Sequence, residues 1–124
     1  MRLLLDTHVV LSWLLGDGKL GVRAQQALDD PSNELVVSAV VVWEVAIKRA
    51  LGKLEIPMSF VDDVQRSDAV TLPISIDHAA GVERLPHHHR DPFDRLLVSQ
   101  ATIEKATIVS SDERLHAYDV PILW

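Results

Sequence analysis

The sequence predicts a three-layer α/β fold in which a central, mainly parallel sheet lies between helices. Three observations predict it. Five short apolar runs have the length and composition of strands buried on both faces. Segments of helical periodicity fall between them, several opened by a capping side chain or closed by glycine. The two kinds alternate, and alternation builds β-α-β units whose strands run parallel and whose helices cover both faces.

The first run, Arg2-Leu3-Leu4-Leu5, stops at Asp6. A helix over 8–15 follows and Gly16 closes it; a second, over 22–28, ends near Pro31. Residues 35–37 make the second strand, Ser38 caps a helix over 39–51, and Gly52 stops it. Pro57 introduces an amphipathic helix over 58–66, then come a strand over 70–74 and a helix over 77–84. Asp91 and Pro92, a capping acid and a first-turn proline, open the longest helix, which runs to 105. A strand over 107–109, a short helix begun by Asp112 and a strand over 120–123 complete the chain.

At 124 residues this is one domain, residues 1–124, with a real core. A composition of 48% hydrophobic and 24% charged residues belongs to a globular protein rather than a disordered one. The absence of cysteine excludes disulfides, thiolate zinc sites and a cysteine nucleophile, and it suits a cytoplasmic protein. No apolar run approaches the roughly 20 residues of a membrane span, and Asp6 with His8 spoils any signal-peptide core, so a soluble protein is expected. The net charge of −6 argues on its face against a nucleic-acid partner.

The position of the acids answers that objection. In open α/β sheets, ligands bind beyond the carboxyl ends of the strands, near a topological switch point. Asp6 directly follows the first strand, and Asp112 follows the strand 107–109 after Ser110-Ser111. Glu44 is the lone acid in the apolar helical stretch 40–47, and Asp94 lies in the first turn of the helix opened by Asp91. Each has a plain alternative: Asp6, Asp91 and Asp112 are good helix caps, and Asp94 suits a helix N-terminus. Four such coincidences at one sheet edge are harder to dismiss. Carboxylates gathered in a partly desolvated site need protons or a metal to compensate them. An oxygen-only set suits Mg²⁺ or Mn²⁺ rather than zinc. Part of the acidic balance is then the metal site itself, and Lys48, Arg49, Lys53, Arg90 and Arg95 are candidate phosphate contacts.

These segments together resemble a PIN-domain ribonuclease of the VapC type, the toxin of a toxin–antitoxin pair. The resemblance rests on Leu3-Leu4-Leu5-Asp6-Thr7-His8, on Val37-Ser38 through Trp43-Glu44, on His89-Arg90-Asp91-Pro92-Phe93-Asp94-Arg95-Leu96-Leu97, and on Ser110-Ser111-Asp112. It implies a five-stranded sheet in the order 3-2-1-4-5. It implies that Asp6, Glu44, Asp94 and Asp112 bind one or two divalent ions, Mg²⁺ or Mn²⁺, with Thr7 and Ser111 orienting the acids or water and Asp91 close by. The implied reaction is hydrolysis of an RNA phosphodiester by metal-activated water, leaving a 5′-phosphate and a 3′-hydroxyl. An antitoxin partner and a homodimer or larger assembly are implied as well.

Other features read as structural. His87, His88 and His89 are consecutive and cannot all point at one ion, so a solvated loop is expected. Trp13 and Trp43 fall on apolar helical stretches and are expected in the core or an interface. Ser38 reads as a cap rather than a nucleophile, and no glycine-rich phosphate loop is present. Two further readings remain: a phosphotransferase that uses Asp6 as nucleophile, although the acid usual two residues on is here His8, and a non-catalytic binding module of the same fold.

Overall fold

The computed structural model describes residues 1–88 and 90–124. Five parallel strands stand in the order β3-β2-β1-β4-β5. They are β1 (Arg2–Leu5), β2 (Glu34–Ser38), β3 (Val70–Leu72), β4 (Thr107–Val109) and β5 (Ile122–Leu123). The helices are α1 (Thr7–Leu15), α2 (Val22–Asp29), α3 (Ala39–Ala50), α4 (Phe60–Arg66), α5 (Ile76–Gly81) and α6 (Pro92–Glu104). Both the fold class and the strand order agree with the expectation. No helix among the described residues is long and apolar enough to cross a membrane.

β1 is the centre of the sheet, and its alternation divides the core. Successive side chains of a strand point to opposite faces. Leu3 and Leu5 therefore meet α1, α2, α3 and α4 through Val9, Val10, Ala24, Val41 and Phe60. Leu4 points the other way, with Val36 and Ile108, onto Leu97 and Ala101 of α6. All three leucines are fully buried, which explains the unbroken apolar run. Burying each stabilises the fold by about 1.5–3 kcal/mol.

Two strands are shorter than expected, and proline is the reason in both. The run over 70–74 loses its ladder at Pro73, and the run over 120–123 begins at Ile122 because Pro121 has no N–H to donate. Pro121 still accepts from the Ile108 N–H at 2.9 Å. Gly16 closes α1 at φ +62° as its position predicts, whereas α6 ends on Lys105 at φ +54°, a conformation in which glycine is usual.

A polar chain unforeseen in the sequence, buried at Ser38, Gln100 and His78 and reaching the surface at Arg2 and Glu34, pins α5 and α6 to the sheet. Ser38 Oγ accepts from the Val40 N–H, capping α3, and donates to Gln100 Oε1 at 2.6 Å. His78 Nδ1 accepts from the Ser75 N–H at 3.0 Å, which leaves the proton on Nε2, facing Glu104 Oε2 at 3.0 Å. Arg2 completes the chain by donating to Glu104 and to Glu34. Satisfied in this way, the polar groups fix one packing of α6. That matters because its N-terminus carries part of the site.

Candidate active site

From β1 the chain builds outward to β2 and β3, then returns to lay β4 and β5 on the other side of β1. The crevice beyond the carboxyl ends of β1 and β4 is the switch point, and Asp6 and Asp112 stand on its two sides.

Asp6 is both cap and pocket wall. Its N–H continues the β1–β4 ladder to the Val109 carbonyl at 3.2 Å, and its Oδ1 accepts from the Val9 N–H at 2.9 Å at the start of α1. Only 6% of the residue is exposed. Burial pushes its carboxyl above the ordinary carboxylate range; hydrogen bonds from Ser110 and Val9 oppose the shift, and the charge of Asp112 adds to it. Ser110, itself buried, also accepts from the Asp112 N–H at 3.0 Å, so one hydroxyl ties the two acids together.

Glu44 lies on the buried face of α3, between Val41 and Val45. A carboxylate in such a place needs partners, and it has two. Thr7 Oγ1 donates to Oε1 at 2.5 Å, and the Lys48 ammonium, one turn along the helix, binds Oε2. Asp91 caps α6, accepting from the Phe93 and Asp94 N–H groups at 2.9 and 3.2 Å. Asp94 then stands in the first turn, where the helix dipole favours a negative charge. Asp112 accepts from the Arg114 N–H at 3.0 Å and from the Arg114 guanidinium at 3.1 and 3.0 Å.

A cavity of about 160 Å³ opens among them. Its walls include Asp6, Glu44, Asp94 and Asp112 together with Thr7, Asp91 and Ser111. Every acid and supporting residue singled out in the sequence therefore borders one space. Lys48 is there too, with His8 and Arg114, which the sequence reading did not select. The spacing Asp112-x-Arg114 was the available signal for the latter. Among the described residues, five carboxylates against two cations leave the pocket formally three charges negative when all are ionised.

The oxygens do not form a ready ligand cage. As the side chains stand, no three His, Asp or Glu groups among the described residues surround one point closely enough to hold an ion. Lys48 engages Glu44 and Arg114 engages Asp112, so internal cations compensate part of the charge. The donor chemistry nevertheless fits a hard divalent cation, being carboxylates and hydroxyls with no sulfur.

The expected phosphate contacts divide. Lys48 lines the cavity, whereas Arg49 donates to the Pro57 carbonyl at 2.8 Å. Arg90 is exposed beside Trp43 and Pro92 at a neighbouring groove, and Lys53 is exposed elsewhere. Arg95 is a correction: it is 8% exposed, and its guanidinium donates to the Pro86 and Val82 carbonyls and to the Tyr118 hydroxyl. It holds the segment before α6 in place and is not presented to phosphate. Of the three histidines, His88 stacks edge-on against Tyr118, and His89 lies outside the described residues. Trp13 packs on the core, while Trp43 is half-exposed, edge-on to Phe93 and at the side of an apolar groove.

Together the fold and the site define a parallel α/β domain with an acid-lined pocket at its switch point. The PIN-domain family model matches residues 3–121, and the chain belongs to that family. It is similar to Ribonuclease VapC22 of Mycobacterium tuberculosis, 28% identical over 121 residues that cover 95% of this chain and 92% of the relative. Its fold resembles VapBC2 from Rickettsia felis, solved bound to a DNA fragment from their promoter, with a TM-score of 0.73 and 15% identity over 98% of this chain and 97% of that one. FitAcB from Neisseria gonorrhoeae gives a TM-score of 0.68 with 20% identity over 97% and 95% of the two chains. At these identities the structural likeness is one of fold.

Proposed function

We propose that the chain is a divalent-metal-dependent endoribonuclease acting as the toxin of a toxin–antitoxin pair. The observation that carries the reading is the meeting of Asp6, Glu44, Asp94 and Asp112 on one cavity at the switch point of a PIN fold. The likeness to a VapC ribonuclease supports RNA as substrate, and the VapBC and FitAcB fold neighbours support an antitoxin partner.

In this reading the four acids would hold one or two Mg²⁺ or Mn²⁺ ions. A metal bound there supplies an acidified water and charge neutralisation at the scissile phosphate. The chain's own groups do the positioning. Thr7 holds Glu44 by one oxygen, Ser110 holds Asp6 and the Asp112 backbone together, and Asp91 fixes the first turn of α6 beneath Asp94. Burial raises the pKa of Asp6, and a cation held beside it would favour the ionised carboxylate by offsetting that desolvation.

Purified chain, free of partner, is expected to cut total cellular RNA in Mg²⁺, leaving 5′-phosphate and 3′-hydroxyl ends, and to be silent in chelator. Cleavage that persists in chelator, or none in either condition, contradicts the reading. Ser110→Ala is expected to weaken Mn²⁺ binding by about 10–100-fold, the usual effect of losing a group that orients ligands. Calorimetry checks this; an unchanged affinity removes Ser110 from the support of the acids.

A further inference from the structure

We propose that Lys48 and Arg114 are built-in counterions of the metal-free pocket, competing with a divalent ion for the oxygens of Glu44 and Asp112. The inference rests on the metal-site reading above and specifies how that site is held before a cation enters it.

The two cations come from different elements. Lys48 reaches in from α3, one turn beyond Glu44, and Arg114 comes from the turn after β4. Each grips a carboxylate assigned to the metal: Lys48 takes Glu44 Oε2, and Arg114 takes Asp112 through two nitrogens at 3.1 and 3.0 Å. Their fields overlap beyond those partners. The raised pKa of Lys48 owes most to its hydrogen bond with Glu44 and also to the charges of Asp91 and Asp94; that of Arg114 owes most to Asp112 and also to Asp94 and Asp91. Between them they answer four of the five acids.

Neither is fixed as a core cation would be. Side-chain exposure is 39% for Lys48 and 66% for Arg114, so both can swing into solvent while the acids stay in place. Glu44, at 7%, cannot follow Lys48 out. A buried carboxylate that remains and a counterion that can leave together make an exchangeable pair. Neutralisation from within lets the acidic cavity stay folded when no metal is present, since like charges in a desolvated cluster otherwise raise their own pKa values or push the walls apart. A divalent ion gains the Coulomb energy of the whole cluster and must displace a single charge at each end.

Lys48→Met and Arg114→Met, each measured against the wild type, test this by Mn²⁺ calorimetry and by melting in chelator and in excess Mn²⁺. Each variant is expected to bind Mn²⁺ about tenfold more tightly and to melt lower than wild type in chelator. In Mn²⁺ the melting difference closes. Lys48→Arg, which keeps the charge, is expected to bind as the wild type does. Equal Mn²⁺ affinity in wild type and both Met variants, with midpoints lowered alike in chelator and in Mn²⁺, would mean that the cations serve structure only and would overturn the proposal. No binding heat in wild type or any variant overturns the metal-site reading as well, so the two failures are distinguishable.

Discussion

Asp6→Asn is expected to lower kcat/KM for RNA cleavage by about a thousandfold or more while leaving the thermal midpoint at or above that of wild type. The two readouts pull apart because of where the carboxylate sits. It is buried, and its burial, with Asp112 nearby, raises its pKa in the folded state. For a carboxyl group raised in this way, the folded state binds the proton more tightly than the unfolded one. Stability therefore declines as pH rises from the ordinary carboxylate value through the raised one, and levels off above it. Above the raised value the ionised group carries that cost in full. An amide keeps an acceptor for the Val9 N–H that caps α1 and removes the charge. If Asp6 were only a cap, activity would survive the substitution. A large fall in the midpoint together with retained cleavage would count against its place in the reaction.

Arg95→Ala is the second large effect, and it falls on stability. The side chain spans the segment before α6 and the turn after β4, donating to backbone carbonyls and to Tyr118. Truncation strands the buried Tyr118 hydroxyl and the part-buried carbonyls of Pro86 and Val82 and opens a gap beneath Tyr118, at an expected cost of about 2–4 kcal/mol. For a domain of this size the midpoint then falls by roughly 8–16 °C. Below that midpoint, the KM for RNA should stay near the wild-type value. A raised KM with an unchanged midpoint would restore Arg95 as an RNA contact.

Arg95 shows where sequence reading stops. An arginine one residue after Asp94 reads naturally as a phosphate ligand, since one step along a helix is invisible as a change of direction. A turn of about 100° per residue nevertheless sends its side chain to the far side of α6, under Tyr118. The acids were legible for the opposite reason. Strands at the centre of a parallel sheet are apolar without interruption, so an Asp right after Leu3-Leu4-Leu5, or soon after Thr107-Ile108-Val109, marks the carboxyl edge by itself. Glu44 stood out as a charge among valines. The order of the strands came from resemblance, because alternation alone fits several windings of the sheet.

Other roles were not legible because they depend on contacts across the fold. Ser110 and Ser111 are adjacent and alike, yet the hydroxyl of Ser110 bridges Asp6 and Asp112 while Ser111 lines the cavity. His78 and Gln100 are separated by 22 positions and become partners only when α5 packs on α6. Lys48 was selected as a basic residue near the site; its engagement with Glu44 needed the i, i+4 geometry of α3.

Diffraction from crystals of the chain soaked in Mn²⁺, recorded for its anomalous signal, is the most direct measurement. A peak is expected inside the cavity between β1 and β4, about 2.0–2.3 Å from carboxylate oxygens of Asp6 and at least one of Asp94 and Asp112, with Lys48 or Arg114 turned away from its acid. A cavity still closed by both cations at saturating Mn²⁺, with the peak elsewhere or no peak at all, would contradict the account.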